Sequence, residues 1–492
     1  MGTMSFRDSM FLLAESRERP THVGSLMLFD RPEGAGEDFL GDLHRKLVSG
    51  DVEVARDFRR RAVRSLTTLG QWSWADEDDL DIEYHVRLSA LPRPGRIREL
   101  LELVSRLHGS LLDRHRPLWE FHLIEGVEGE RFAVYGKIHH AMMDGVTSMR
   151  HLQKALSTDP DARDMAPFWA VERRSGRGTP DREEQGSSSG PLAAIGGAVQ
   201  GGWHAVESVA RTTSSALAIG PALASSTLKG ITGHDLVLPF EAPPTMFNVP
   251  ITGARRFAAQ SWSLKRIQQV RERTGATIND VVLAMCAGAL RRYLLDNDGL
   301  PDSQLVAALP VALGQGEQGG GNQLGAILVG LATDEADPAE RLRRIQASGQ
   351  AAKDNLVGRD PMVTAALSAA VAAPIGLGGL PGASSIHQGF NLIISNVPGP
   401  KDTLYWEGAR LGGIYPISVP LDGQALNITA MSYADHLEFG LTGCRRSVPR
   451  LQRLLTFLEE SLAELEAVAD AADEQTPEVA EGITVGSGAA AT

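Results

Sequence analysis

A mixed α/β (α+β) protein of two domains is what the sequence predicts, on three observations. The chain has 492 residues, more than one hydrophobic core ordinarily accommodates. Strand-period and helix-period apolar patterns alternate both before and after the middle of the chain. Between the patterned parts, ERRSGRGTPDREEQGSSSG at 172–190 has no apolar periodicity and reads as a linker by composition. The divisions that follow are a first domain at 1–171, a linker and crossover at 172–234, a second domain at 235–469 and a disordered tail at 470–492.

The elements of the first part follow in order. Gly24 to Phe29 alternates and reads as a strand. Arg98 to Leu112 places Leu100, Leu101, Val104, Leu107 and Leu111 at three-to-four spacing, the mark of an amphipathic helix. Arg131 to Ile138 alternates again, with Phe132, Val134 and Ile138 on one side and Tyr135 and Lys137 on the other. Beyond Gly145, helical spacing returns with Val146, Met149, Leu152 and Leu156. His139 to Gly145 therefore form a strand-to-helix turn.

Leu192 to Leu228 is rich in small residues, with Trp203, Val206, Val209 and Leu217 as its larger apolar ones. It reads either as a helical crossover packed on the body or as a helix on a lipid surface. The lack of a basic polar face favours packing. In the second part, Ser263 to Thr274 reads as a polar helix stopped at Gly275. Thr277 to Leu295 reads as a long, mostly buried helix with Asn279 and Asp280 capping its start. Arg445 to Val468 spaces Leu451, Leu454, Leu455, Leu458, Leu462 and Leu465 as a closing amphipathic helix.

Composition narrows the function classes. With 48 Lys and Arg against 61 Asp and Glu, the net charge of −13 argues against a nucleic-acid partner. A local basic pocket for a phosphorylated substrate remains compatible with that total. The two cysteines, Cys286 and Cys444, form no metal or disulfide spacing and fit a reducing compartment as small core residues. The N-terminus lacks a basic stretch followed by an apolar one, so no signal peptide is expected. Gly2 is followed at position six by Phe6, where myristoylation wants Ser or Thr. Met362 to Pro400 carries no charged residue, but Pro374, Pro381 and several glycines break it. A buried, pocket-lining segment fits that stretch better than a membrane span.

The chemistry centres on KIHHAMMDGV. A strand end holds His139 and His140 firmly while the turn after them opens outward. A neutral imidazole accepts a proton at physiological pH, and an alcohol needs such help to become a nucleophile, worth about 10²–10⁴-fold. Asp144 is suited to fixing a neighbouring Arg or the turn itself, and Gly145 to adopting backbone angles that side chains resist. A purely structural histidine pair is an equal reading of the same residues. A metal centre lacks further ligands at matching spacing, so none is expected. A serine hydrolase would need a nucleophile elbow, and none stands between strand and helix.

HHAMMDG matches the H-H-x-x-x-D-G motif of the chloramphenicol-acetyltransferase-like superfamily, which includes the condensation domains of peptide synthetases. More narrowly, the chain resembles the bacterial wax ester synthase/acyl-CoA:diacylglycerol acyltransferase family. PLWEFHLIEG at Pro117–Gly126, ATINDVVLAMCAGALRRYL at Ala276–Leu294, NLIISNVPGP at Asn391–Pro400 and LNITAMSYADHLEFG at Leu426–Gly440 carry that resemblance, in order along nearly the whole chain. Two departures stand beside it. The superfamily's aspartate-phenylalanine-glycine-tryptophan-glycine run is absent, which sets the chain apart from peptide-synthetase condensation. LPVALGQGEQ, Leu309–Gln318, also lacks the arginine the family carries after its proline-valine-serine segment.

The resemblance implies two similar chloramphenicol-acetyltransferase-like domains with the active site in a channel between them. It makes His140 the general base, with His139 supporting it and Asp144 orienting the loop. Asn279 and Asp280 match the family's N-D pair and would shape the substrate site. Gly145 amides, Asn279 and Asn396 are candidate donors to an oxyanion. The implied reaction moves a long-chain acyl group from acyl-CoA, a substrate and not a cofactor, to a fatty alcohol or diacylglycerol through a ternary complex. The charge-free stretch and the Val281–Leu290 helix face would line an apolar tunnel, or form ordinary core. Products this insoluble imply a cytoplasmic enzyme peripheral to a membrane or lipid droplet. The alternatives are an acyltransferase for a polyketide or sugar hydroxyl, and a catalytically idle lipid-binding protein of the same fold.

Overall fold

The computed structural model of the chain describes residues 2–50, 52–64, 70–171, 237, 241–313, 323–357 and 389–474. The linker and crossover expected at 172–234, most of the charge-free stretch, residues 314–322 and the expected tail beyond Glu474 lie outside the described residues.

The first part runs through β1 (Gly2–Thr3), α1 (Phe6–Ala14), β2 (His22–Asp30), α2 (Phe39–Val48), β3 (Arg60–Arg64), β4 (Trp72–Asp76), α3 (Ile82–His85), β5 (Val86–Ala90), α4 (Ile97–His108), β6 (Trp119–Val127), β7 (Arg131–His139) and α5 (Gly145–Ala155). The second runs through β8 (Arg255–Ser263), α6 (Leu264–Thr274), α7 (Ile278–Leu295), β9 (Val306–Leu313), β10 (Gln323–Gly330), α8 (Pro338–Val357), β11 (Leu392–Val397), β12 (Tyr405–Trp406), β13 (Ala409–Ile417), β14 (Leu426–Tyr433), β15 (His436–Cys444) and α9 (Arg453–Glu474). Two six-stranded sheets result, ordered β12-β13-β2-β7-β6-β5 and β10-β9-β11-β14-β15-β8, with a small β1-β4-β3 sheet beside the first. The short β12 and β13 leave their own part of the chain and extend the first sheet, β13 pairing antiparallel with β2.

Three expected boundaries shift, each for a local reason. α4 stops at His108, where the Gly109 N–H closes the last turn on the Ser105 and Arg106 carbonyls, so Leu111 falls outside the helix and is exposed. α7 is capped by Thr277, not by Asn279 or Asp280. The Thr277 hydroxyl accepts the Asp280 N–H at 3.2 Å while the Asp280 carboxylate accepts the Thr277 N–H at 2.9 Å. That reciprocal pair is a capping box, in which Asp280 is the third helical residue. α9 begins at Arg453, since Pro449 and the left-handed Arg450 (φ 51°) interrupt the chain before it. It also continues past Asp470 to Glu474, where Asp470 and Asp473 pair with Arg273 of α6, so those residues are helix and not tail.

Each sheet has its own apolar core, and a third cluster joins them. The second-part core takes in Val281 to Leu290 of α7 entirely, so that face packs as core. The joining cluster sets Leu100, Leu101 and Val104 of α4 against Leu26, Tyr135, Phe257 and Ile417. Across this seam the Phe257 N–H donates to Ser105 Oγ at 2.9 Å, and Ser261 Oγ meets Tyr415 Oη at 3.0 Å. Gly440 permits the approach, because a Cβ there would stand 1.8 Å from the Pro416 carbonyl oxygen. Among the described residues no helix is long and apolar enough to cross a membrane.

Candidate active site

β7 delivers the histidine pair at its C-terminal end. Both of its faces are buried, Phe132, Val134 and Ile138 on one and Tyr135 and Lys137 on the other, and the ladder to β2 sets His139 opposite His22. The chain then turns: the Met142 and Met143 N–H groups both donate to the His139 carbonyl, at 2.9 and 3.3 Å.

His139 is fully buried and both of its ring nitrogens are occupied. The Ala141 N–H donates to Nδ1 at 3.0 Å, so Nδ1 presents its lone pair and Nε2 carries the hydrogen. Nε2 lies 2.9 Å from Thr21 Oγ1 and 3.5 Å from a Glu15 oxygen. Glu15 is itself buried and is held from its other side by Arg114, Nε and Nη2 donating at 3.1 and 3.0 Å. Burial pushes the Glu15 carboxyl up, but hydrogen bonds from His139, the Thr21 N–H and Arg114 outweigh it and hold the group below the usual carboxylate range.

His140 is placed differently. Its N–H donates to the Thr21 carbonyl at 3.0 Å, and its ring, only partly buried, lies over Phe11 of α1 with centroids 4.1 Å apart and planes 15° from parallel. Of the two histidines, this is the one that is partly exposed.

Asp144 caps α5. Its Oδ1 accepts the Thr147 N–H at 2.8 Å and its Oδ2 the Thr147 hydroxyl at 3.1 Å. Of the two roles open to it, fixing an arginine or fixing the turn, its contacts are those of the turn. Gly145 does not need glycine's freedom: it is the first helical residue, outside the left-handed region, and a Cβ there would meet nothing within 4 Å. What this residue leaves is open space over the start of α5. The first two amides of that helix, Gly145 and Val146, have no intrahelical acceptor by construction, whereas Thr147 and Ser148 donate to Asp144.

The remaining candidates stand on the second sheet's side. Asn279 and Asp280 lie in the first turn of α7, with Asp280 committed to Thr277. Asn396 sits in β11, in parallel register with Ala430 of β14. Among the described residues no group of three His, Cys, Asp or Glu is arranged to hold a metal ion. The Cys286 thiol is buried in the second core and pushed up to about 12, inert as a nucleophile.

Behind the pair lies a buried polar layer. Lys137 Nζ contacts Glu120 at 3.2 Å and donates to the Leu107 and Ser110 carbonyls, while His122 Nε2 meets Glu120 at 3.3 Å. His22 Nε2 reaches the His108 carbonyl at 2.8 Å, and burial together with nearby Arg255 and Lys137 lowers the His108 ring to about 3. This layer ties α4 to the strand that ends in the histidines. A cleft of about 350 Å³ beside α4, lined by Glu99, Glu102, Arg106, Arg255, Arg256 and Arg445 among others, includes none of the turn residues.

The sequence reading missed Phe11, Glu15, Thr21 and Arg114, the groups that grip the pair. Acidic Glu15 directly after the apolar Phe11–Ala14 run was the available signal, since a charge at the edge of a buried segment wants a partner.

A family model for the wax ester synthase/diacylglycerol acyltransferase catalytic domain matches residues 4–282, and a model for the C-terminal domain of the same family matches 320–466. A Mycobacterium tuberculosis protein named "Probable diacyglycerol O-acyltransferase" is 47% identical over 469 residues, 95% of this chain and 99% of that one. A solved structure of the wax ester synthase/diacylglycerol acyltransferase from Marinobacter aquaeolei VT8 is 41% identical, with a TM-score of 0.76 over 96% of this chain and 100% of that one. The starter condensation domain of rhizomide synthetase is 12% identical, with a TM-score of 0.52 over 95% of this chain and 94% of that one, a likeness of fold alone.

Proposed function

We propose that this chain, which belongs to the wax ester synthase/diacylglycerol acyltransferase family, uses His140 as the general base in moving a long-chain acyl group from acyl-CoA to a lipid hydroxyl. The chain is an O-acyltransferase of that family. The observation that carries the choice of base is the difference between the two rings. His139 is fully buried, and His140 stands partly exposed at the turn.

His140 takes the acceptor hydroxyl proton as the oxygen bonds to the thioester carbonyl carbon. The Gly145 and Val146 amides are candidate preorganised donors for the resulting oxyanion, and such donors contribute several kcal/mol in a water-excluded site. Asn279 and Asn396 are held as further candidates. Collapse breaks the carbon–sulfur bond, and the coenzyme A thiolate recovers the proton from His140. The chemistry asks for no cofactor, because the thioester arrives activated.

Diacylglycerol is the acceptor favoured by the name of the Mycobacterium tuberculosis relative, and a fatty alcohol by that of the Marinobacter aquaeolei protein. The two substrates would meet between the two sheets. The product is too insoluble to leave into water, so attachment is peripheral, at a membrane or droplet surface. Thiol release from palmitoyl-CoA with diacylglycerol, hexadecanol and a sugar as acceptors tests the reading. His140→Ala should lose roughly 10² or more in turnover. Retained activity refutes the base, and turnover confined to the sugar refutes the lipid acceptor.

A further inference from the structure

The residue that reaches both histidines is Thr21, in the loop between α1 and β2. Its hydroxyl oxygen lies 2.9 Å from His139 Nε2, its carbonyl accepts the His140 N–H at 3.0 Å, and its own N–H donates to Glu15 at 3.2 Å. With Nδ1 of His139 accepting the Ala141 N–H, Nε2 donates to the Thr21 hydroxyl. That hydroxyl donates onward to the Phe11 carbonyl at 3.2 Å. Phe11 in turn stacks its ring on His140. The path is closed: it leaves the histidine turn through one imidazole and returns to it through the other.

We infer that Thr21 is a positioning residue, which holds the His139 ring in place through its hydroxyl and, through Phe11 and its own carbonyl, sets the angle of the His140 ring. Thr21 is 2% exposed, so water does not compete for these bonds. No substrate atom is asked to touch it. The contribution is geometric, and misplacing a reacting group by about 1 Å costs on the order of 10²-fold in rate. A valine has the same shape and no hydroxyl. It leaves the His139 Nε2–H with only the Glu15 oxygen at 3.5 Å and the Phe11 carbonyl with only the Glu15 N–H at 3.1 Å, while the backbone contact to His140 stays.

This inference rests on His140 as the base, and the experiment separates the two. Steady-state thiol release is measured for wild type, Thr21→Val, Thr21→Ser and His140→Ala with palmitoyl-CoA and diacylglycerol. Thr21→Val should lower kcat by roughly 10- to 100-fold with KM for acyl-CoA within about twofold, and Thr21→Ser should recover most of kcat because it keeps Oγ. Should Thr21→Val not fold, Thr21→Cys gives the same split at smaller amplitude, its thiol being a weaker donor and acceptor than the hydroxyl. Wild-type kcat in Thr21→Val alongside an inactive His140→Ala overturns the positioning role alone. Equal losses in Thr21→Ser and Thr21→Val also overturn it, since the hydroxyl would then not be what matters. Activity retained in His140→Ala removes the base itself.

Discussion

Replacing Glu438 by Gln should flatten the pH dependence of stability, because this carboxyl closes the seam between the two sheets. Glu438 lies on β15, is 1% exposed, and accepts a hydrogen bond from Ser261 Oγ, which also meets Tyr415 of the first sheet. Its Oε1 has no hydrogen-bond partner among the described residues. Burial pushes the group from 4.5 up to about 7, the Ser261 bond only partly opposing it. Between those values the folded protein therefore holds a proton that the unfolded chain has released. Stability from this group is full below the unfolded value and is lost as pH rises through about 7. At about 1.4 kcal/mol per pH step, the window amounts to about 3 kcal/mol. Glu438→Gln keeps the shape and cannot ionise, so it should match wild type near pH 4.5 and exceed it by up to about 3 kcal/mol at pH 8. Urea unfolding followed by tryptophan fluorescence at several pH values gives the difference directly, since other carboxylates titrate alike in both proteins. Parallel curves from pH 4.5 to 8 would refute the buried neutral carboxyl.

Two further outcomes follow from the turn. Asp144→Ala should lose the α5 cap, about 1 kcal/mol, and turnover with it, whereas Asp144→Asn, an equally good cap, should keep the melting temperature and most of kcat. An Asn variant that melts normally but is as inactive as Ala would give the carboxylate a charge or proton role. Gly145→Ala should leave the melting temperature unchanged or slightly higher, as a helical residue with room for its Cβ; a clear fall in a thermal melt would contradict that placement.

The histidine turn was legible because the apolar period changes on either side of it, from two before His139 to three-and-a-half after Gly145. Local chemistry placed the end of α6 as well, where Gly275 adopts a left-handed φ of 67°. The misjudged boundaries were local too, but subtler. α4 ended before its apolar spacing did, and Thr277 outcompeted Asn279 and Asp280 for the cap because only its side chain sits three residues ahead of a carboxylate that can answer it.

By itself the sequence determined the α/β character, the two cores, the strand that ends in His139 and His140, and, through its ordered motifs, the family. Only the tertiary structure decided that β12 and β13 cross to the first sheet, and which partners grip the histidines. Thr21 stands 118 residues from His139, and Arg114 stands 99 from Glu15. Periodicity and capping act over a turn of helix or a few strand residues, so they say which face a side chain occupies but not what it meets across a fold. The distinction between the two rings came from those distant contacts.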